Sequence, residues 1–512
     1  MEKIISREKL EKFKFYILII FACGGFAVLA KAFNPDSDMW FLAATGRYIV
    51  QNKVVPTINP FVIHEGFDII VQQWVVDVIN YLVYDNFGKI GIYIYAMTMF
   101  FLALFLLNNY LKNYIDNYKG RLLIVMFSGL YLLQFANSRP TIISFSIFVI
   151  LLTVLEKYMK TKKWKLLLIL PLLSLIEINC HSAMWPMMFV MIIPYIFPRK
   201  ISKKSEIKED IKNWFNTNKI ILISMIAMFA IAFINPNGIN GILYLVKSYG
   251  TADRCGIMEM MSPSIFSFNG IMLMIAFAIY VIYFTRVIVK KTEFKFVNFY
   301  MASGTMLLAI MNLRSFWYVI LGVIPLLAML IDEDFKKCSE KAKIKENDED
   351  ENIEKKEVPY SSLLKVCIFR IAWIVPVIAI FAGSVEYNYK DCDSVPLNAV
   401  EYLDELNKDE IVLFNGFNSG AYLEWAGYKT YMDPRPELFD IKINNKEDIV
   451  SEYLNLRVAN IDFNEFLDKY KFTHLISLNG YAFSYHLSQS NEYKVVAEGN
   501  GYKLFEKINY NK

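Results

Sequence analysis

Apolar residues along this chain fall into long blocks rather than the regular stripes of soluble helices and strands. Blocks suited to crossing a bilayer occur at 16–33, 90–107, 122–136, 141–156, 166–179, 183–197, 219–235, 268–285, 297–311, 315–331 and 364–384. A crossing needs about 20 apolar residues, so the pattern predicts about eleven transmembrane helices. Several blocks are short, and the pair over 166–197 is expected to be tilted or partly re-entrant. From 385 to 512 the pattern changes. Short helical and strand-like runs alternate there (398–406, 411–414, 429–432, 464–470, 474–478, 493–497 and 502–506), which predicts a compact α/β domain with its own core.

The polar connections sort by charge. Lys9, Lys12 and Lys14 precede the first block; Lys112, Lys119 and Arg121 follow the second; Lys160, Lys162, Lys163 and Lys165 the fourth. Arg199, Lys200, Lys203 and Lys204 follow the sixth, Arg286, Lys290 and Lys291 the eighth, and Lys336, Lys337, Lys341 and Lys343 the tenth. Every second connection is basic, as cytoplasmic loops are. The N-terminus is therefore expected inside and 385–512 outside, with 1–384 a membrane domain and the charge-rich 332–363 a solvated, mobile cytoplasmic linker.

Composition agrees: 55% hydrophobic, 16% aromatic and 20% charged is too apolar for a soluble surface. A net charge of +4 suggests no nucleic-acid partner. The six cysteines have neither metal-ligand nor disulfide-framework spacing and read mostly as apolar filler. The first block lacks a cleavage site after it and reads as an uncleaved helix. No phosphate-cradling glycine loop, clustered metal set or Ser/His/Asp triad is evident, and the paired broken helices of transporters are missing as well.

The unusual polar residues collect on the expected outer side, in 34–89, at Ser138-Arg139-Pro140, around Asn179 to Ser182, in 236–267 and at Asn312 to Ser315. Asp36 and Asp38 stand just beyond the first block, where two carboxylates at i, i+2 can act as a general base, ligate a divalent cation, or simply be solvated acids at a helix end. The stretch from Val71 to Tyr84 reads equally as an amphipathic helix on the membrane surface or as an ordinary packing helix. Arg139 and Arg314 sit at outer helix edges against the positive-inside bias; each suits a phosphate or carboxylate, or else snorkels or pairs with a structural acid. His181 can bond a substrate or cap a helix. Glu259, before Ser262-Pro263, is a further carboxylate candidate. Asp433 and Arg435 follow an expected strand, as a structural ion pair or facing a membrane cavity.

Read in order, these segments resemble a bacterial group of multi-pass proteins similar to the GT-C class, the polyprenyl-phosphate-sugar-dependent membrane glycosyltransferases. The resemblance rests on D-x-D-x-W, A-T-G-R-Y-I and V-P-T-x-N-P-F in the first outer loop, R-P-T-I-I-S-F, E-I-N-C-H-S, I-N-P-N-G, I-M-E-M-M-S-P and N-L-R-S-F-W. It continues in the tail with N-G-F-N-S-G-A-Y-L-E-W and Y-K-T-Y-M-D-P-R. Three positions depart from the group: Leu42 replaces a histidine, Gln73-Trp74-Val75 stands for E-W-L, and Ser182 replaces a glycine.

The resemblance implies an inverting glycosyltransferase moving a hexosyl or pentosyl unit from a polyprenyl-phosphate donor in the membrane to an acceptor glycan, lipid or protein at the cell envelope. Asp38 would be the base and Asp36 a second carboxylate, with Mg2+ or Mn2+ between them an open question. Arg139, His181 and Arg314 are candidates for the donor phosphate, and Trp40, Asn179, Glu259, Asp433 and Arg435 complete the substrate-binding set. The rival reading is a non-catalytic protein on the same scaffold that binds or helps assemble lipid-linked glycans.

Overall fold

The computed structural model describes residues 4–5, 37–197, 207–348, 358–359 and 396–508. The expected first and last spans (16–33 and 364–384), Asp36 and Cys392 lie outside the described residues. The other nine apolar runs are all helical.

The first described helix, α1 (Asp38–Asn52), was not expected from the apolar pattern. It packs against α2 (Trp74–Leu111), which starts in the outer loop and enters the second apolar block across a break at Gly88. Gly88 has φ 59 and ψ −154, a conformation that only glycine adopts cheaply. Residues 71–84 therefore do not lie free on a membrane surface. Val76, Asp77 and Asn80 are buried, and Asn80 donates to the Ser138 carbonyl at 3.1 Å. Of the two readings of this stretch, the packing helix is the one seen.

The bundle continues through α3 (Tyr118–Leu132), α4 (Thr141–Thr161), α5 (Ile169–Cys180), α6 (Trp185–Ile196), α7 (Ile207–Ile231), α8 (Phe268–Val289), α9 (Phe296–Met311) and α10 (Trp317–Asp348). Among the described residues, four segments are long and apolar enough to cross a membrane: Trp74–Leu111, Thr141–Thr161, Lys212–Ile231 and Phe268–Val289. The pair α5 and α6 has 12 residues each, about 18 Å of rise, well short of a 30 Å hydrocarbon core. One apolar core, including Phe100, Phe148, Trp317 and Leu321, unites the helices.

The charged stretch after 332 is not an open linker from its start. Helix α10 runs on to Asp348, as Glu- and Lys-rich sequence with i, i+4 pairs such as Asp332–Lys336 (2.7 Å) favours. The basic connections meet at one end of the bundle. Lys160 donates to the Asn113 carbonyl at 3.1 Å, Lys336 reaches Asp116 at 3.5 Å, Arg286 pairs with Asp334 at 3.0 Å, and Lys290 pairs with Glu333.

At the opposite end sits the α/β unit. Its sheet has order β1-β2-β4-β3, from β1 (Leu413–Phe414), β2 (His474–Leu478), β3 (Tyr493–Gly499) and β4 (Tyr502–Lys507). β1 and β2 are parallel and the other pairs antiparallel. Helices α11 (Leu397–Leu403), α12 (Gly420–Ala426), α13 (Ile449–Arg457), α14 (Phe463–Tyr470) and α15 (Ala482–Gln489) flank it. Residues 429–432 do not join this sheet. Thr430 instead bridges in parallel to Val62 of the first outer loop, and the two segments share a core with Phe67, Ile69, Tyr431 and Phe439.

Candidate functional site

Asp38 is the first residue of α1, where helix N-terminal amides favour a carboxylate. Arg139, in the turn between α3 and α4, places Nη2 3.1 Å from Asp38 Oδ2. Its Nη1 donates to Glu259 Oε1 and Oε2 at 3.2 and 3.3 Å. Three residues from separate segments of the chain thus form one partly exposed cluster, with Arg139 between two carboxylates.

The turn carrying Arg314 is tied to the same loop. Leu313 N donates to the Met261 carbonyl at 3.1 Å, and Ser262 Oγ to the Met311 carbonyl at 3.3 Å. Arg314 is half-buried and has no ion pair or hydrogen bond among the described residues. Its electrostatic neighbours are His181, Tyr244, Tyr318 and Glu437. Glu437 accepts from the Tyr244 hydroxyl, and burial raises its carboxyl above the ordinary range. A guanidinium with no carboxylate bonded to it is suited to an incoming anion.

His181 is fully buried, with Nδ1 2.9 Å from Ser144 Oγ and no partner at Nε2 among the described residues. Burial, and then the Arg314 charge, push its pKa well below the ordinary imidazole value, so it is neutral at pH 7. That removes it as a cationic phosphate ligand; it can still donate or accept one hydrogen bond. Glu177, one turn earlier on α5, was missed in the sequence. It is fully buried beside the Ser144 hydroxyl, with no hydrogen bond of ordinary geometry to either carboxylate oxygen among the described residues. The signal was there: a lone acid within L-L-S-L-I-E-I-N, where an ionisable group in a span is costly.

The remaining candidates have structural partners. Asn179 accepts from Trp74 Nε1 at 2.7 Å and donates to the Leu175 and Ile234 carbonyls, each at 2.9 Å, so both its amide donors are used within the protein. Trp40 is buried edge-on against Tyr84 and Tyr422, with centroids at 5.4 and 5.0 Å, in an aromatic joint between α1, α2 and α12. Asp433 and Arg435 form a buried ion pair, not an open face. Arg435 Nη2 lies 2.8 Å from Asp433 Oδ2 and 2.8 Å from Glu424 Oε2, and Nη1 reaches Thr45 Oγ1 of α1 at 3.4 Å. Leu42 is fully buried beside α2. Gln73 immediately precedes α2, and its carbonyl accepts from Val76 and Asp77. Ser182 N and Oγ both donate to the Gln72 carbonyl, at 2.9 and 3.0 Å.

A divalent cation needs several oxygen ligands at one point. Asp38 and Glu259 instead share Arg139, and no three His, Cys, Asp or Glu side chains gather among the described residues. Among the described residues the carboxylates at this cluster do not form a cation site.

No family model matches the chain, and no curated protein matches it. Solved structures do. The archaeal oligosaccharyltransferase AglB from Archaeoglobus fulgidus, in complex with an inhibitory peptide and a dolichol-phosphate, is 10% identical, with a TM-score of 0.57 over 91% of this chain and 70% of that one. The same organism's oligosaccharyltransferase in the apo form gives 0.55. ArnT from Cupriavidus metallidurans, bound to undecaprenyl phosphate, is 10% identical, with a TM-score of 0.50 over 96% of this chain and 98% of that one. The chain is a polytopic membrane protein with the GT-C glycosyltransferase fold and a small C-terminal α/β domain.

Proposed function

We propose that this protein is an inverting glycosyltransferase that moves a sugar from a polyprenyl phosphate to an acceptor hydroxyl at the outer membrane boundary. The observation that carries the reading is the meeting of Asp38, Arg139 and Glu259 beside the turn of Arg314, which has no ion pair among the described residues, on a GT-C scaffold. Both AglB and ArnT have been solved with a polyprenol-type phosphate, which supports a donor of that class.

In this mechanism Asp38, oriented by Arg139, takes the proton of the acceptor hydroxyl. The hydroxyl oxygen attacks the anomeric carbon on the face opposite the phosphate. The carbon–oxygen bond to phosphate breaks, and the departing polyprenyl phosphate keeps the electron pair. Arg314 meets the charge that grows there, a task for a preorganised cation. Neutral His181 holds the adjoining wall, with Glu177 and Ser144 behind it. Purified protein in nanodiscs, offered a panel of polyprenyl-phosphate sugars labelled in the sugar, should transfer label from at least one donor. Donor binding without transfer across the panel would favour the non-catalytic scaffold.

The same reading places the basic end of the bundle in the cytoplasm and the α/β unit outside, from the Lys/Arg alternation. Pairing of Ile4–Ile5 with Val358–Pro359, which sets the N-terminal residues beside the end of the charged linker, supports one side for both. In intact cells an impermeant thiol reagent should label Glu65→Cys above the wild-type background and leave Lys163→Cys at background. The reverse labelling would invert the topology.

A further inference from the structure

A cavity of about 420 Å3 lies in the α/β unit, with Asp38 not among its lining residues. It opens at the carboxyl ends of the parallel strands β1 and β2, lined by Gly416, Phe417 and Asn418 after the first and by Ser477, Leu478 and Tyr481 at the end of the second. Crevices at the carboxyl ends of strands are the usual ligand sites of open α/β sheets, and this volume falls in the range that holds small molecules. The loop that carries Glu259 closes one wall through Cys255, Gly256 and Ile257.

The lining is chemically specific. Phe417, Tyr453, Tyr481 and Tyr502 bring aromatic rings to the cavity, while Asn418 and Ser477 add an amide and a hydroxyl. The Tyr453 hydroxyl accepts from Phe417 N at 3.2 Å, which holds the turn after β1 in place. The lining has one charged side chain, Arg457, at the end of α13. Its guanidinium is exposed, stands 5.8 Å from the centre of the Tyr481 ring and pairs with no carboxylate among the described residues. Flat rings suit the C–H faces of a pyranose, the amide and hydroxyl suit its ring hydroxyls, and a free guanidinium suits one carboxylate.

We propose that this cavity is a saccharide site that binds a uronic-acid unit of the acceptor glycan. The role as acceptor subsite rests on the glycosyltransferase reading above; the binding chemistry is read from the cavity alone. Arg457 takes the carboxylate, Tyr481 and Tyr502 pack the ring, and Asn418 and Ser477 bond its hydroxyls. Occupancy would hold the rest of an acceptor chain on the outer face of the protein while its far end reaches Asp38.

Saturation-transfer NMR on the full-length protein in nanodiscs tests this with two probes, a glucuronate-containing disaccharide and its neutral glucose counterpart. The wild type should bind the acidic probe at least about tenfold more tightly, as one charge-assisted contact provides. Arg457→Ala should erase that preference, and Arg457→Lys should keep part of it. Tyr481→Ala should weaken both probes. Asp38→Asn should bind both as the wild type does, because binding requires neither donor nor base. Equal binding of the two probes by the wild type, no binding of either, or an acid preference that survives Arg457→Ala would overturn the proposal. Failure of the donor panel with this binding intact would instead remove the glycosyltransferase reading and leave a glycan-binding protein.

Discussion

Asp38→Asn should reduce sugar transfer by about a hundredfold or more while donor binding persists. Asparagine has the shape of aspartate and can still accept from Arg139 Nη2, 3.1 Å away in the native protein. What it lacks is the charge and the capacity to take the acceptor proton. The loss should therefore appear in kcat, with the donor Kd nearly unchanged. Arg139→Ala contrasts with it: Asp38 and Glu259 would then face each other without the cation between them, and both binding and turnover should suffer. Initial rates and donor titrations in nanodiscs separate these outcomes. Undiminished transfer by Asp38→Asn would remove it as the base and leave the fold untouched.

The largest stability effect is expected at Arg435. Glu424 and Asp433 are both buried, and Arg435 is bonded to each. Arg435→Ala strands two carboxylates in the interior, a loss of about 3–5 kcal/mol for a broken buried pair. Burial already raises Glu424 well above the ordinary carboxyl range, with Arg435 the main opposing influence. Without that cation the folded-state pKa rises further. A group whose pKa is higher folded than unfolded loses stability as pH rises from the unfolded value through the folded one. The variant should therefore be more nearly native at pH 5 than at pH 8. Thermal unfolding across that range checks it; an equal deficit at both pH values would show that these carboxylates do not dominate the loss.

The sequence made the bundle legible because membrane spans must satisfy their backbones internally and be apolar, a pattern strong enough to read without partners. It made the tail legible through period and turn residues, since His474–Leu478 and Tyr502–Lys507 are strands close to where they were expected. Helix α1 escaped notice because Ala43 to Ile49 has no helical stripe: that helix is enclosed by α2 and the α/β unit, so most of its faces are buried. Residues 429–432 looked like a sheet strand and are strand-like, but their partner is Val62, more than 360 positions away. The candidate site shows the same limit. Loop charge can sort Asp38, Arg139, Glu259 and Arg314 to one face, yet no local pattern tells that Arg139 bridges two acids, or that Arg435 is enclosed by Glu424 and Thr45.

Three consecutive residues of α1 each meet a different part of the molecule. Thr45 accepts from Arg435. Gly46 lies so close to α2 that a Cβ there would stand 2.0 Å from the Asp77 carbonyl oxygen. Arg47 donates to the Trp425 carbonyl at 2.8 Å and stacks over that indole at 4.4 Å. Asp38 begins this same helix, so its position is set jointly by the membrane bundle and by the last hundred or so residues of the chain. The tail is thus no exchangeable cassette. A chimaera joining this bundle to another protein's tail would inherit a first helix without its counterpart, and selection on either half must pass through Thr45, Gly46 and Arg47.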